Sequence, residues 1–163
     1  ATVQREGWER PIYWEPDLDR EFTLHGIQPI DPGAPACHLS YYEADAFARW
    51  SGARLPSEAE WEIMSADGPT RVDPDRPPQL QPRAGYGGGV WEWTASGYQP
   101  YPGFRPLGGS LGEYNGKFMV SQMVLRGGAC VTPDGHARSS YRNFYYPHQR
   151  WQFAGLRLAR NAD

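Results

Sequence analysis

The residues in this 163-residue chain best suited to hold a metal or attack an electrophile are His25, His38, His136, His148, Cys37 and Cys130. No two of the histidines stand four apart, the spacing that would bring two imidazoles onto one helix face. Each sits alone, so a surface or hydrogen-bonding role is the first expectation for it. Cys130 lies just after Gly127-Gly128 and could be a nucleophile. Nothing beside it in sequence would hold a thiolate, which favours a small buried side chain. There is no phosphate-binding glycine loop, no G-x-S-x-G, no CxxC pair and no H-E-x-x-H.

Two helices must position whatever chemistry the chain has. Ser40 stands three before Glu43, and Ser57 three before Glu60. Each pair reads as a capping box, in which Ser accepts the N3 amide and Glu accepts the N-cap amide. The first helix is expected over 41–50, with Ala44, Phe47 and Ala48 as its apolar stripe and Gly52 as its stop. The second is expected over 58–66, with Trp61 and either Met64 or Ser65 inward. Strands are expected around 12–15, 21–25, 90–94, 119–127 and 151–159, the last with Phe153, Leu156 and Leu158 in the core. Pro29, Pro32 and Pro35 suggest an extended lead-in, 69–89 and 97–117 read as loops, 132–137 as a turn, and 138–148 as irregular.

Bulk properties agree with one loop-rich α+β domain. Aromatic residues make up 14%, with 19 Gly and 16 Pro, too many turn formers for a helical bundle and too many rings for a disordered chain. A net charge of −3 argues against nucleic acid or an anionic membrane surface as partner. No apolar run approaches the roughly 20 residues of a membrane span. Two thiols do not make a disulfide framework, so a reducing, cytoplasmic compartment is expected.

The order of segments is more specific. Ser40-Tyr41-Tyr42-Glu43-Ala44, Arg54-Leu55-Pro56-Ser57-Glu58-Ala59-Glu60-Trp61-Glu62, Val90-Trp91-Glu92-Trp93, Arg126-Gly127-Gly128 and Gly155-Leu156-Arg157 follow one another. Together they resemble the formylglycine-generating-enzyme/sulfatase-modifying domain, a C-type-lectin-like variant. The resemblance implies two helices and short antiparallel strands. Trp61, Trp91 and Trp93 should be core, and the motif arginines should meet buried carbonyls or carboxylates. Thr132 and Ala137 stand where formylglycine generators carry their copper-binding cysteines. A hydroxyl and a methyl cannot form a Cu(I) thiolate centre.

Further segments narrow the resemblance: Tyr98-Gln99-Pro100-Tyr101-Pro102-Gly103-Phe104, Glu113-Tyr114-Asn115-Gly116-Lys117-Phe118, Arg142-Asn143-Phe144 and Arg150-Trp151-Gln152-Phe153. These are similar to the EgtB family of ergothioneine biosynthesis. Such enzymes use non-haem Fe(II) and O2 to join a thiol to C2 of the hercynine imidazole as a sulfoxide. The resemblance implies that residues 1–163 are most of a C-terminal domain. An upstream DinB-like half, absent here together with the first strands, would bind the iron. No metal ligand is then expected in this chain.

By the same resemblance Tyr114, Asn143 and Phe144 lie beside hercynine. Its trimethylammonium cannot donate a hydrogen bond, so aromatic faces suit it, and an Asn amide can fix an imidazole. Leu111 replaces the proton-donating Tyr of the mycobacterial branch, so catalytic residues are unassigned. Tyr145 and Gln149 replace the Asp and Arg that grip γ-glutamylcysteine there. Losing both charges favours free cysteine or another small thiol. A related ovothiol- or selenium-type synthase, or a lectin-like binding module without catalysis, are the competing expectations. Gly89 stands where relatives carry Asn or Asp, so calcium is not expected.

Overall fold

The computed structural model describes residues 2–65, 80–82, 89–112, 116–133, 136 and 138–162. Both helices form where the capping pairs place them. Helix α2 spans Tyr41–Trp50 and α3 spans Glu58–Ser65, preceded by a short N-terminal helix α1, Thr2–Arg5. At α2 the Glu43 amide donates to Ser40 Oγ at 3.1 Å, and the Ser40 amide donates to Glu43 Oε2 at 2.8 Å. At α3 the matching distances are 3.2 Å for Glu60 N–H to Ser57 Oγ and 2.7 Å for Ser57 N–H to Glu60 Oε2. Each box satisfies two amides that the helix leaves without partners.

Among the described residues six strands form: β1 Arg20–Thr23, β2 Gly26–Pro29, β3 Trp91–Gly97, β4 Met123–Arg126, β5 Asn143–Tyr145 and β6 Ala154–Leu156. β1 and β2 form an antiparallel hairpin, flanked on the other edge of β1 by a bridge between Trp14 and Glu21. The other four make one sheet in the order β5-β4-β3-β6. β4 runs antiparallel to both β3 and β5, whereas β6 runs parallel to β3.

The core lies where α2 packs against this sheet. Ala44, Ala48, Leu55, Trp91, Trp93, Leu125, Ala129 and Ala154 are buried together. Trp93 is fully enclosed, and its indole N–H donates to the Leu39 carbonyl at 2.8 Å. That bond lets a large ring enter the interior without stranding its polar edge. Gly155 has no room for a side chain: a Cβ there would lie 2.5 Å from the Ala36 carbonyl oxygen. Gly127 adopts φ +102°, and a Cβ would meet the Trp61 ring at 3.1 Å.

Several sequence expectations need correcting. The segment 138–148 contains β5, which pairs with β4 through contacts remote in sequence. The expected lead-in at Pro29 is the end of β2, and the strands expected over 119–127 and 151–159 shrink to four and three residues. Phe47, Met64 and Leu158 are exposed, while Trp61 is buried and Ser65 is half-buried. On α2, Ala44 and Ala48 are buried, and Tyr41 packs partly buried against the same core. Most of the loop expected over 69–89 lies outside the described residues.

Candidate functional site

β5 is an edge strand, so the segment after Arg142 presents two side-chain faces and one backbone edge that no strand among the described residues pairs. Phe144 stands opposite the buried Val124, and its ring stacks on Tyr98 with centroids 4.2 Å apart and planes 9° from parallel. Phe118 approaches it at 6.3 Å. Asn143 and Tyr145 stand opposite Leu125 and Met123, on the other face. Tyr145 packs against the core, and its ring meets Trp151 edge-on at 5.4 Å. The structure therefore separates Asn143 from Phe144 by a sheet face while keeping them adjacent along one edge.

Asn143 is half-buried, and its amide oxygen accepts the Phe144 N–H at 2.9 Å. That leaves the amide NH2 as a donor. Gln149 holds a turn: its side-chain oxygen accepts the Tyr146 N–H at 2.9 Å, and its own N–H donates to the Tyr146 carbonyl at 3.0 Å. Leu111 is exposed. Tyr114 lies outside the described residues.

An ionic network behind β5 was not foreseen as part of the site. Glu58, buried at the start of α3, receives Arg142 Nη2 at 2.9 Å and the Tyr101 hydroxyl at 3.1 Å. Arg126 is fully buried and pairs with Glu58 at 2.9 Å and Glu62 at 2.5 Å. It also donates to the Ser139 carbonyl at 2.7 Å and the Tyr141 carbonyl at 3.2 Å, so it fixes the approach to β5. Arg142 lies over the Tyr101 ring at 4.3 Å and the Tyr98 ring at 4.7 Å. The sequence signal was available: Glu58 is an acid in the first turn of a helix, beside a core Trp three positions on.

A second network ties the 146–150 turn to the N-terminal region. Arg150 donates to Glu43 Oε1 and to the Arg10 carbonyl, each at 2.5 Å, and its guanidinium lies 4.6 Å from the Trp8 ring. Glu43 thus caps α2 with one oxygen and anchors this turn with the other. On β3, Glu92 accepts the Trp61 indole N–H at 2.6 Å and two bonds from Arg157 at 2.8 Å. The expectation that the motif arginines meet buried carbonyls or carboxylates holds for both Arg126 and Arg157.

The histidines are dispersed. His38 is half-buried, with Nδ1 3.1 Å from the Trp151 carbonyl and its ring edge-on to Tyr13; burial lowers its pKa. His25, His136 and His148 are exposed. Cys37 is buried, and desolvation pushes its thiol well above the ordinary range, which disfavours a thiolate. Cys130 is half-buried. Thr132 closes a turn by accepting the Ala129 N–H at 2.9 Å, and Ala137 lies outside the described residues. Among the described residues, no three His, Cys, Asp or Glu side chains gather as a metal site, so they do not fit an iron centre by themselves. No helix among them is long and apolar enough to cross a membrane.

A fold of few helices around a short-stranded sheet, with Arg126 paired to carboxylates of α3 and Arg157 to Glu92 of β3, defines a class. The chain belongs to the sulfatase-modifying factor enzyme 1-like domain family, which matches residues 9–79 and 84–162. Within that class it is homologous along nearly its whole length to hercynine oxygenases. It is 35% identical to the hercynine oxygenase of Mycolicibacterium smegmatis, over 98% of this chain and 45% of that protein. It is 33% identical to the hercynine oxygenase of Mycobacterium tuberculosis, over 96% of this chain and 44% of that protein. The chain thus spans less than half the length of these relatives. The structure of PvdO from Pseudomonas aeruginosa superposes with a TM-score of 0.59 at 20% identity, over 96% of this chain and 73% of that one, a likeness of fold alone.

Proposed function

We propose that this chain is the C-terminal, substrate-binding part of a non-haem Fe(II), O2-dependent sulfoxide synthase that joins a thiol to C2 of the hercynine imidazole. The observation that carries the proposal is the match to hercynine oxygenases over 96–98% of the chain. The iron belongs to a DinB-like half outside this sequence, in keeping with the dispersed histidines. In the overall reaction a C–S bond forms, one oxygen atom of O2 ends on sulfur, and the other leaves as water with the two hydrogens lost from the substrates.

The role of this chain is to bind and orient. A ligand resting on one face of β5 would meet either Asn143 or Phe144. A ligand seated on the strand's open edge can meet both. There the Asn143 NH2 donates to an imidazole nitrogen or the carboxylate of hercynine, and the Phe144 ring lies beside the trimethylammonium, a contact worth ~0.5–2 kcal/mol. The family resemblance adds Tyr114 as a further hercynine contact. The thiol donor is placed near Tyr145 and Gln149. Neither side chain carries a charge, and the Gln149 oxygen is already engaged by Tyr146. Free cysteine therefore suits this corner better than γ-glutamylcysteine.

The test is to supply the complete polypeptide with hercynine, Fe(II), O2 and an equimolar mixture of cysteine and γ-glutamylcysteine. Mass spectrometry should show the cysteine-derived sulfoxide in excess. A dominant γ-glutamyl product would overturn the donor assignment, and no C–S product with either thiol would overturn the proposed reaction.

A further inference from the structure

The Phe144 ring belongs to a stack, which Phe118 also approaches at 6.3 Å. Tyr98 lies flat behind it at 4.2 Å, and Arg142 lies over the Tyr98 ring at 4.7 Å. Arg142 is held in turn by Glu58 at 2.9 Å and by the Gln99 carbonyl at 3.0 Å. An edge strand of three residues has little of its own to fix a ring plane. Tyr98 does have a rigid seat: it is buried, and its N–H donates to the Gln122 carbonyl at 2.8 Å, just before β4.

The network is also balanced in charge. Two guanidiniums, Arg126 and Arg142, face two carboxylates, Glu58 and Glu62. The positive charge behind Tyr98 is therefore compensated, and the stack does not repel a cation arriving at Phe144.

We infer that Tyr98 and Arg142 are positioning residues that set the plane of the Phe144 ring and thereby the preference of this site for a quaternary ammonium. The inference rests on the proposed hercynine site. It adds that the selectivity for trimethylation is built from behind the ring, by residues that never touch the substrate. Tyr98→Leu removes the flat backing. Tyr98→Phe keeps the stack and removes only the hydroxyl. Arg142→Lys keeps the charge but loses the planar group that spans both tyrosines.

The experiment measures kcat/KM of the complete polypeptide for hercynine and for unmethylated histidine, with cysteine as donor, in wild type and in these three variants. A merely structural role would depress both substrates alike. Positioning predicts that Tyr98→Leu lowers the hercynine-to-histidine ratio about fivefold or more, that Arg142→Lys lowers it about twofold, and that Tyr98→Phe leaves it as in wild type. An unchanged ratio in Tyr98→Leu, whether or not both rates fall, overturns the inference. If wild type itself shows no preference for hercynine, the proposed site fails first. Thermal melts of each variant identify any that fail to fold, and Tyr98→Met then replaces Tyr98→Leu.

Discussion

The two sides of β4 are built on different principles. Toward β3 and α3 lies a region of ion pairs anchored on buried groups: Arg126 on Glu58 and Glu62, with Arg157 and Trp61 on the buried Glu92. Toward β5 lies a region of half-buried rings and an amide, with one open strand edge. The first holds the fold, because leaving its buried charges unpaired would cost several kcal/mol. The second can exchange side chains at modest cost, which is where substrate preference can change within a shared architecture. Glu58 and Arg142 link the two regions.

The comparison breaks most directly at Arg126. Arg126→Met should destabilise by about 3–5 kcal/mol, because Glu58 and Glu62 lose a fully buried partner. Urea denaturation of the complete polypeptide measures this, and a loss under about 1 kcal/mol would erase the contrast. On the other side of β4, Asn143→Ala should change stability by less than about 1 kcal/mol while raising the hercynine KM roughly tenfold. Equal losses of stability at the two positions would make the second region structural as well.

Smaller changes sharpen the picture at the helix starts. Ser40→Ala should cost about 1 kcal/mol by stranding the Glu43 amide, and it should also loosen the Arg150 turn that shares the Glu43 carboxylate. Protease sensitivity near residue 150 checks the second effect. At the other capping box, Arg54 and then the Ser57 amide hold the exposed Glu60 carboxyl down to about 2 from 4.5. A depressed carboxylate contributes stability that is present above 4.5 and lost as pH falls toward 2. Glu60→Gln should therefore lower the melting temperature at neutral pH and flatten the acid limb in that window, so that variant and wild type converge toward pH 2. A steeper acid limb in the variant would contradict the assigned sign.

What the sequence discloses follows this division. Ser40 with Glu43 and Ser57 with Glu60 announce both helices, because capping is local chemistry among residues three apart. The motif arginines announce buried partners without naming them, since Glu58 and Glu62 are far from Arg126 along the chain. β5 is invisible because a strand of three residues has no period, and only its pairing with β4 makes it one. The parallel pairing of β6 with β3 is hidden for the same reason. Phe47 reads as core by spacing, yet it is exposed and its ring lies against Trp50 at 5.7 Å. Asn143 and Phe144 were legible as a pair of useful groups. That they occupy opposite faces of an edge strand was not.

The central claim is that hercynine sits against the open edge of β5. A crystal structure of the complete polypeptide with hercynine and a redox-inert divalent metal tests it most directly. The account predicts the ligand within hydrogen-bond distance of the Asn143 amide nitrogen, with its trimethylammonium beside the Phe144 ring. Hercynine bound elsewhere, with Asn143 still turned only onto its own backbone, would contradict it.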